Sequence, residues 1–82
     1  MVLIRTMKTL AARLRWAREK RGLSCAELDE VADLTLGHTA SVESKRIEVP
    51  STATASKLAR ALDVEVGWLI EGGKAPQIAK AG

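Results

Sequence analysis

The sequence contains no phenylalanine and no tyrosine, and its two tryptophans are its only aromatic residues. Its core must therefore be built mainly from leucine, valine, isoleucine and alanine, which suit small, closely packed helices. β-Branched residues nowhere alternate with polar residues over a useful length, so no half-buried strand is indicated. The sequence predicts an all-α protein.

Cysteine and histidine are nearly absent as well. The single cysteine, Cys25, cannot form an internal disulfide, and Cys25 with the single histidine, His38, is too small a set to bind a metal ion. We therefore expect no metal, no other cofactor and no small-molecule ligand. A catalytic nucleophile would need a base and an orienting group that one histidine cannot supply, so we expect no enzyme.

Long apolar runs are also missing. None approaches the roughly 20 residues that cross a bilayer, and the apolar residues 1–4 are followed at once by Arg5, which leaves them too short for a secretory signal. We therefore expect a cytoplasmic protein without membrane contact. A chain of 82 residues with 46% hydrophobic composition fits one small domain with a single core.

The net charge of +3 is distributed unevenly along the chain. Residues 1–21 carry seven basic residues and one acidic residue, whereas residues 22–33 carry four acidic residues and no basic one. The basic segment fits a polyanionic partner, because lysine and arginine release counterions when they bind phosphates. It fits a solvated helix face equally well, and charge alone leaves both interpretations open.

Apolar spacing and capping residues predict a first helix at about residues 7–21, with Thr6 as its cap and Gly22 at its end. The sequence from Ser24 to Glu27 is a capping box that begins a second helix, which ends near Asp33. The apolar positions predicted to face the core are Leu10, Leu14 and Ala17 in the first helix and Leu28, Val31 and Ala32 in the second.

Thr35 is expected to cap a short third helix at residues 36–44, with Thr39 and Val42 facing the core. A loop with Pro50 follows, and Ser51 caps a fourth helix whose apolar stripe is Ala55, Leu58, Ala59 and Leu62. A last short helix at residues 64–70 ends at two glycines. We expect an arm at residues 1–6, a folded domain at residues 7–72 and a flexible tail at residues 73–82.

Two short helices joined by a tight turn match the helix-turn-helix unit. The sequence also carries a set of residues with fixed spacing: Arg18, Gly22-Leu23-Ser24, Glu27-Leu28, Leu34-Thr35, Val42-Glu43, Pro50-Ser51 and the apolar pattern from Leu58 to Ile70. Together they resemble the phage repressor and Cro-type helix-turn-helix family over about residues 10–72.

The resemblance implies a five-helix, lambda-repressor-like domain in a bacterial or phage-encoded transcriptional regulator associated with the nucleoid. Such a domain binds double-stranded DNA, often as a homodimer, and places the start of its third helix in the major groove. The base-reading positions would be Leu36, Gly37, His38, Ala40 and Ser41. The phosphate-binding positions would be Cys25, Thr35, Lys45, Arg46, Ser51 and Thr52. The resemblance further implies an ion pair between Arg18 and Glu43, and dimer contacts at Val66 and Trp68.

Four positions depart from the usual family pattern. The family usually has glutamine at Cys25, a small apolar residue at Asp29, glycine at Asp33, and isoleucine or valine at Thr39. We expect Asp29 to need water or a partner, because an unpaired buried carboxylate is costly, and Thr39 to loosen the core.

The third helix also lacks the residue types that discriminate bases best. No arginine, lysine, asparagine or glutamine occurs at residues 36–44. Sequence preference is then either modest or dependent on DNA shape and the basic N-terminal arm. Two alternatives therefore stay open: a protein-interaction module that kept this fold with weak DNA readout, and an antitoxin that docks a partner through its tail. Salt-dependent binding to duplex DNA would separate these classes.

Overall fold

A computed structural model describes residues 9–44, 50–73 and 76. These residues contain no strand and form five α-helices: α1 (Leu10–Lys20), α2 (Cys25–Val31), α3 (His38–Glu43), α4 (Thr52–Leu62) and α5 (Val66–Glu71). The predicted all-α, five-helix architecture is confirmed. The predicted arm at residues 1–6 lies outside the described residues, as does the predicted tail apart from Gly73 and Pro76.

Three helices begin at the side-chain caps that short polar residues provide. The hydroxyl of Thr9 accepts from the N–H of Ala12 at 3.1 Å, so Thr9 caps α1 and the choice of Thr6 was wrong. Ser24 and Glu27 form the predicted capping box at α2, with N···O distances of 2.8 and 3.1 Å. The N–H of Ser24 stabilises the charged carboxylate and so lowers the pKa of Glu27. Ser51 caps α4, as expected.

Three helices also end in the same way. After α1, α2 and α4, a residue in the left-handed region is followed by one whose N–H reaches back to the last turn, as in a Schellman motif. The left-handed residues are Gly22, Asp33 and Asp63, with φ values of 71°, 59° and 57°. Glycine adopts this conformation freely and aspartate at modest cost, so the ends of all three helices are encoded locally.

The core lies where α1 packs against α3 and α5, α2 against α3 and α4, and α4 against α5. Its fully buried apolar side chains are Leu14, Ala17, Leu28, Ala55, Leu58, Leu62 and Leu69. Trp16 and Trp68 meet edge to face at its margin, with ring centroids 5.7 Å apart. Val31 was expected in the core but is exposed. It lies with Lys57 and Arg60 along an open groove between α2 and α4, while Leu28 and Ala32 form the buried stripe of the second helix.

None of the helices formed by the described residues has the length and apolar character needed to cross a membrane.

Candidate nucleic-acid interface

The turn between α2 and α3 determines where the third helix begins. Gly37 has a φ of +94° and directly precedes His38, the first residue of α3. Thr35 is exposed, and its carbonyl accepts from the N–H of His38 at 3.0 Å. Thr35 is therefore not the helix cap, because the left-handed conformation of Gly37 interrupts the helix after it. Leu36 and Gly37 precede α3 instead of forming its first turn.

The five predicted base-reading positions form one continuous surface segment around this helix start. Leu36 is 76% exposed, Gly37 and Ala40 are also exposed, and His38 and Ser41 are half-buried. An apolar side chain as exposed as Leu36 is unusual beside a polar turn and indicates a contact surface. The segment from residue 36 to residue 41 is called the recognition segment below.

Asp29 on α2 holds the start of α3. Its side chain is buried, with 1% exposure, and its two oxygens accept three hydrogen bonds from the turn and α3. Oδ2 accepts from the N–H of Gly37 at 2.8 Å, while Oδ1 accepts from the N–H and the hydroxyl of Thr39 at 2.8 and 2.6 Å. Thr39 is fully buried. The expectation that Thr39 loosens the core was therefore wrong, because its hydroxyl is a partner of the Asp29 carboxylate.

Arg18 connects α1 to the end of α3. Its Nε and Nη2 donate to Oε2 and Oε1 of Glu43 at 2.7 and 3.1 Å, and its Nη1 donates to the carbonyl of Leu23 at 2.6 Å. The two charged side chains are only 12% and 11% exposed. The hydrogen bonds to Glu43 raise the pKa of Arg18. The structure thus contains the ion pair that the family resemblance implied.

Two further arginines of the basic N-terminal segment also bond within the domain. Arg13 is buried and donates through Nε and Nη2 to the carbonyls of Leu69 and Ile70 at 2.9 and 2.6 Å. Its burial lowers the pKa of Arg13. Arg21 donates to the carbonyl of Leu62 at 3.0 Å. Both guanidinium groups thus lie at helix C-termini, where the unpaired carbonyls favour positive charge.

The predicted phosphate contacts are placed unevenly. Cys25 is half-buried at the first position of α2, and burial raises the pKa of its thiol, so it presents an uncharged group to an anion. Ser51 and Thr52 are exposed at the start of α4. Lys45 and Arg46 lie outside the described residues. Within the described ranges, no group of three or more His, Cys, Asp or Glu side chains is arranged to hold a metal ion.

The two predicted dimer residues have different environments. Val66 is exposed on α5, whereas Trp68 is only 8% exposed and packs against Trp16 in the core of its own domain. Trp68 therefore offers little free surface to a partner, which corrects its assignment as an interface anchor. Sequence reasoning overlooked Ile70, which is exposed four residues after Val66 and so lies on the same side of α5.

Two short helices joined by a tight turn and held within a five-helix domain define a helix-turn-helix protein. Residues 9–67 match the family model described as a helix-turn-helix domain. The chain belongs to this family, and its fold is that of the phage repressors and Cro.

Solved structures agree with this assignment. The P22 c2 repressor, determined in complex with a synthetic operator, has a TM-score of 0.73 and 22% identity, covering 79% of this chain and 97% of that chain. The N-terminal DNA-binding domain of SinR from Bacillus subtilis has a TM-score of 0.70 and 30% identity, covering 73% and 87%. The restriction-modification controller protein C.AhdI from Aeromonas hydrophila has a TM-score of 0.70 and 32% identity, covering 80% and 98%. No curated protein sequence matches the chain significantly.

Proposed function

We propose that this protein is a non-catalytic transcriptional regulator that binds double-stranded DNA and places the recognition segment in the major groove. The observation that carries the proposal is the exposure of this segment on a helix-turn-helix unit whose α3 is held by buried polar contacts at both ends. Solved structures of similar fold support it, since the P22 c2 repressor and SinR were each determined in complex with DNA.

The recognition segment suits apolar and single hydrogen-bond contacts with bases. Leu36 and Ala40 can meet thymine methyl groups, and Ser41 and His38 can each form a single hydrogen bond with a base edge. Gly37 lets the backbone approach closely. Affinity would therefore come mainly from phosphates, through Lys45, Arg46 and the backbone amides at the starts of α2 and α4.

Binding to a duplex at increasing salt tests this proposal. Affinity is expected to fall with a log-log slope of about −0.9 per neutralised phosphate. Removing both charges in the Lys45→Gln, Arg46→Gln variant is expected to weaken binding to all sequences and to reduce the slope by about 2. The matched control is Lys57→Gln with Arg60→Gln, which removes the same charge from α4 beside the open groove. A slope that changes equally in both variants would contradict the phosphate assignment.

We also propose that the protein acts as a homodimer through Val66 and Ile70, the exposed apolar side chains of α5. Two recognition segments would then enter successive major grooves, with half-sites about 34–36 Å apart. The Val66→Asp, Ile70→Asp variant is expected to sediment as a monomer and to lose cooperative binding. A dimer that survives this change would exclude α5 as the interface.

A protein-interaction module on the same fold is the second candidate. The absence of Arg, Lys, Asn and Gln at residues 36–44 favours it, and SinR has also been determined in complex with the SinI protein. Failure of the protein to bind any duplex at low salt would favour this candidate over DNA binding.

A further inference from the structure

Within the described ranges, Asp29 is the one buried acidic side chain, and none of the hydrogen bonds it accepts is from a lysine or arginine. All three come from the backbone or hydroxyl groups of residues 37 and 39. The third helix has no side-chain cap of its own, because Gly37 occupies its N-cap position. The Asp29 carboxylate, which belongs to a different helix, therefore satisfies the N–H groups that a cap residue would otherwise satisfy.

The location of these bonds matters for base readout. Gly37 and Thr39 flank His38 and lie in the middle of the recognition segment, so fixing their backbone fixes the position from which Leu36, Ala40 and Ser41 project. The segment carries only short or apolar side chains apart from His38. A long arginine can reorient to restore a contact after a backbone shift, but alanine, serine and glycine cannot. Contacts made by short side chains therefore depend directly on where the backbone lies.

We propose that Asp29 is a positioning residue for sequence discrimination: through Gly37 and Thr39 it holds the recognition segment at the distance from the base edges that its short side chains require. This inference rests on the proposed DNA-binding function. It assigns a role to the joint departure of Asp29 and Thr39 from the usual apolar residues. Asp29 touches no base in this role, because its side chain is buried.

Asp29→Asn is the most direct test variant. Asparagine keeps the shape of aspartate but has one oxygen and one NH₂ group. If its oxygen faces Thr39, its NH₂ group opposes the N–H of Gly37, and in the flipped orientation it opposes the N–H of Thr39. At least one of the three hydrogen bonds is lost in either case.

Two variants of Thr39 and one distant variant provide the controls. Thr39→Ser keeps the hydroxyl donor and is expected to behave like the wild type, whereas Thr39→Val removes only the 2.6 Å hydroxyl bond. Arg13→Met removes a buried polar side chain whose printed bonds are to the end of α5. It lowers stability without touching α3, and so separates a loss of stability from a loss of positioning.

The measurement is a ratio of two affinities at one salt concentration. One probe is the duplex that the wild type selects from a random pool, and the other is a scrambled duplex of the same base composition. Asp29→Asn is expected to lower the ratio by about tenfold, the value of roughly one base contact, without changing affinity for the scrambled duplex. Arg13→Met and Thr39→Ser are expected to keep the wild-type ratio. All variants are measured at a temperature where circular dichroism shows them folded.

Amide hydrogen exchange supplies a readout that is independent of DNA. The N–H groups of Gly37 and Thr39 are expected to exchange faster in Asp29→Asn than in the wild type, and unchanged in Arg13→Met relative to its global stability. If Asp29→Asn does not fold, Thr39→Val carries the test, with a smaller loss of the affinity ratio expected.

The outcomes separate this inference from the function on which it rests. Binding of the wild type to duplex DNA with an unchanged ratio in Asp29→Asn, or in Thr39→Val where that variant replaces it, would overturn the positioning role and leave the proposed function intact. A wild type that binds DNA but selects no consensus would also overturn it, because there would be no discrimination to support. A wild type that binds no duplex at low salt would overturn the proposed function itself.

Discussion

The ion pair between Arg18 and Glu43 leads to a quantitative prediction about stability. Two parallel N–H···O bonds of 2.7 and 3.1 Å join the guanidinium to the carboxylate, and both side chains are almost buried. Removing one partner leaves the other charge poorly hydrated, which costs about 3–5 kcal/mol for a fully buried pair. The remaining exposure of 12% and 11% places this pair toward the lower end of that range.

The two single variants are not expected to be equal. Arg18→Met also leaves the carbonyl of Leu23 without its 2.6 Å donor, so we expect a loss of about 3–4 kcal/mol. Glu43→Leu leaves Arg18 bonded to that carbonyl and costs about 2–3 kcal/mol. The double variant strands no charge and is expected to cost about 2 kcal/mol. The coupling free energy is then about 3 kcal/mol.

Urea denaturation of the four proteins measures these values. A domain of this size has a free energy of unfolding of about 4–12 kcal/mol and an m-value near 1 kcal/mol/M, so each single variant shifts the midpoint by about 2–4 M. The control is the same cycle on Arg15 and Glu19, an i,i+4 pair at 3.2 Å whose side chains are 67% and 57% exposed. Its coupling is expected to be only about 0.3–0.5 kcal/mol. Additivity of the Arg18 and Glu43 variants within about 0.5 kcal/mol would refute the reasoning.

Three further changes test local features of the fold. Arg13→Met removes the donors to the last carbonyls of α5 and is expected to lower stability by about 2–3 kcal/mol, seen as a lower Tm; an unchanged Tm would mean that these carbonyls need no donor. The folded state holds the pKa of Glu27 below the ordinary value of 4.5, so its contribution is present above that pH and lost as the pH falls through the lowered pKa. Stability measured between about pH 5 and pH 2 is expected to fall less steeply in Glu27→Gln, and superimposable curves would contradict this. Asp33→Gly relieves a left-handed residue at φ 59° and is expected to raise the urea midpoint by about 0.5–1 kcal/mol equivalent, whereas Asp33→Ala lowers it.

The predicted helices were most accurate where the signal lies within a few residues. The capping box at Ser24 and the left-handed residues at Gly22 and Asp63 specify helix ends through bonds to nearby backbone atoms, and all of these were recognised from the sequence. The start of α3 was placed two residues too early, because its cap comes from Asp29 on another helix. A contact across helices leaves no local pattern.

The misassignment of Trp68 has a different cause. An apolar residue on a short helix has the same sequence pattern whether it faces the core or a partner, and only packing distinguishes the two. In this chain Trp16 supplies the ring on which Trp68 packs, 52 positions away in sequence. Asp29 and Thr39 did carry a signal, since each replaces an apolar residue usual in the family. Considering the two positions as a pair would have revealed their hydrogen bond.

The basic character of the N-terminal segment has an internal explanation that bears on DNA binding. Arg13 contacts the end of α5, Arg18 contacts the end of α3, and Arg21 contacts the end of α4. Each of these guanidinium groups serves the domain by bonding to a helix end, and a phosphate would have to compete with carbonyl or carboxylate oxygens within about 3 Å of it. The charge count of the segment therefore overstates the number of cations available to DNA. Phosphate binding then depends on Lys45, Arg46 and the exposed helix starts, which is why replacing those two side chains, and not the arginines of α1, is the informative change.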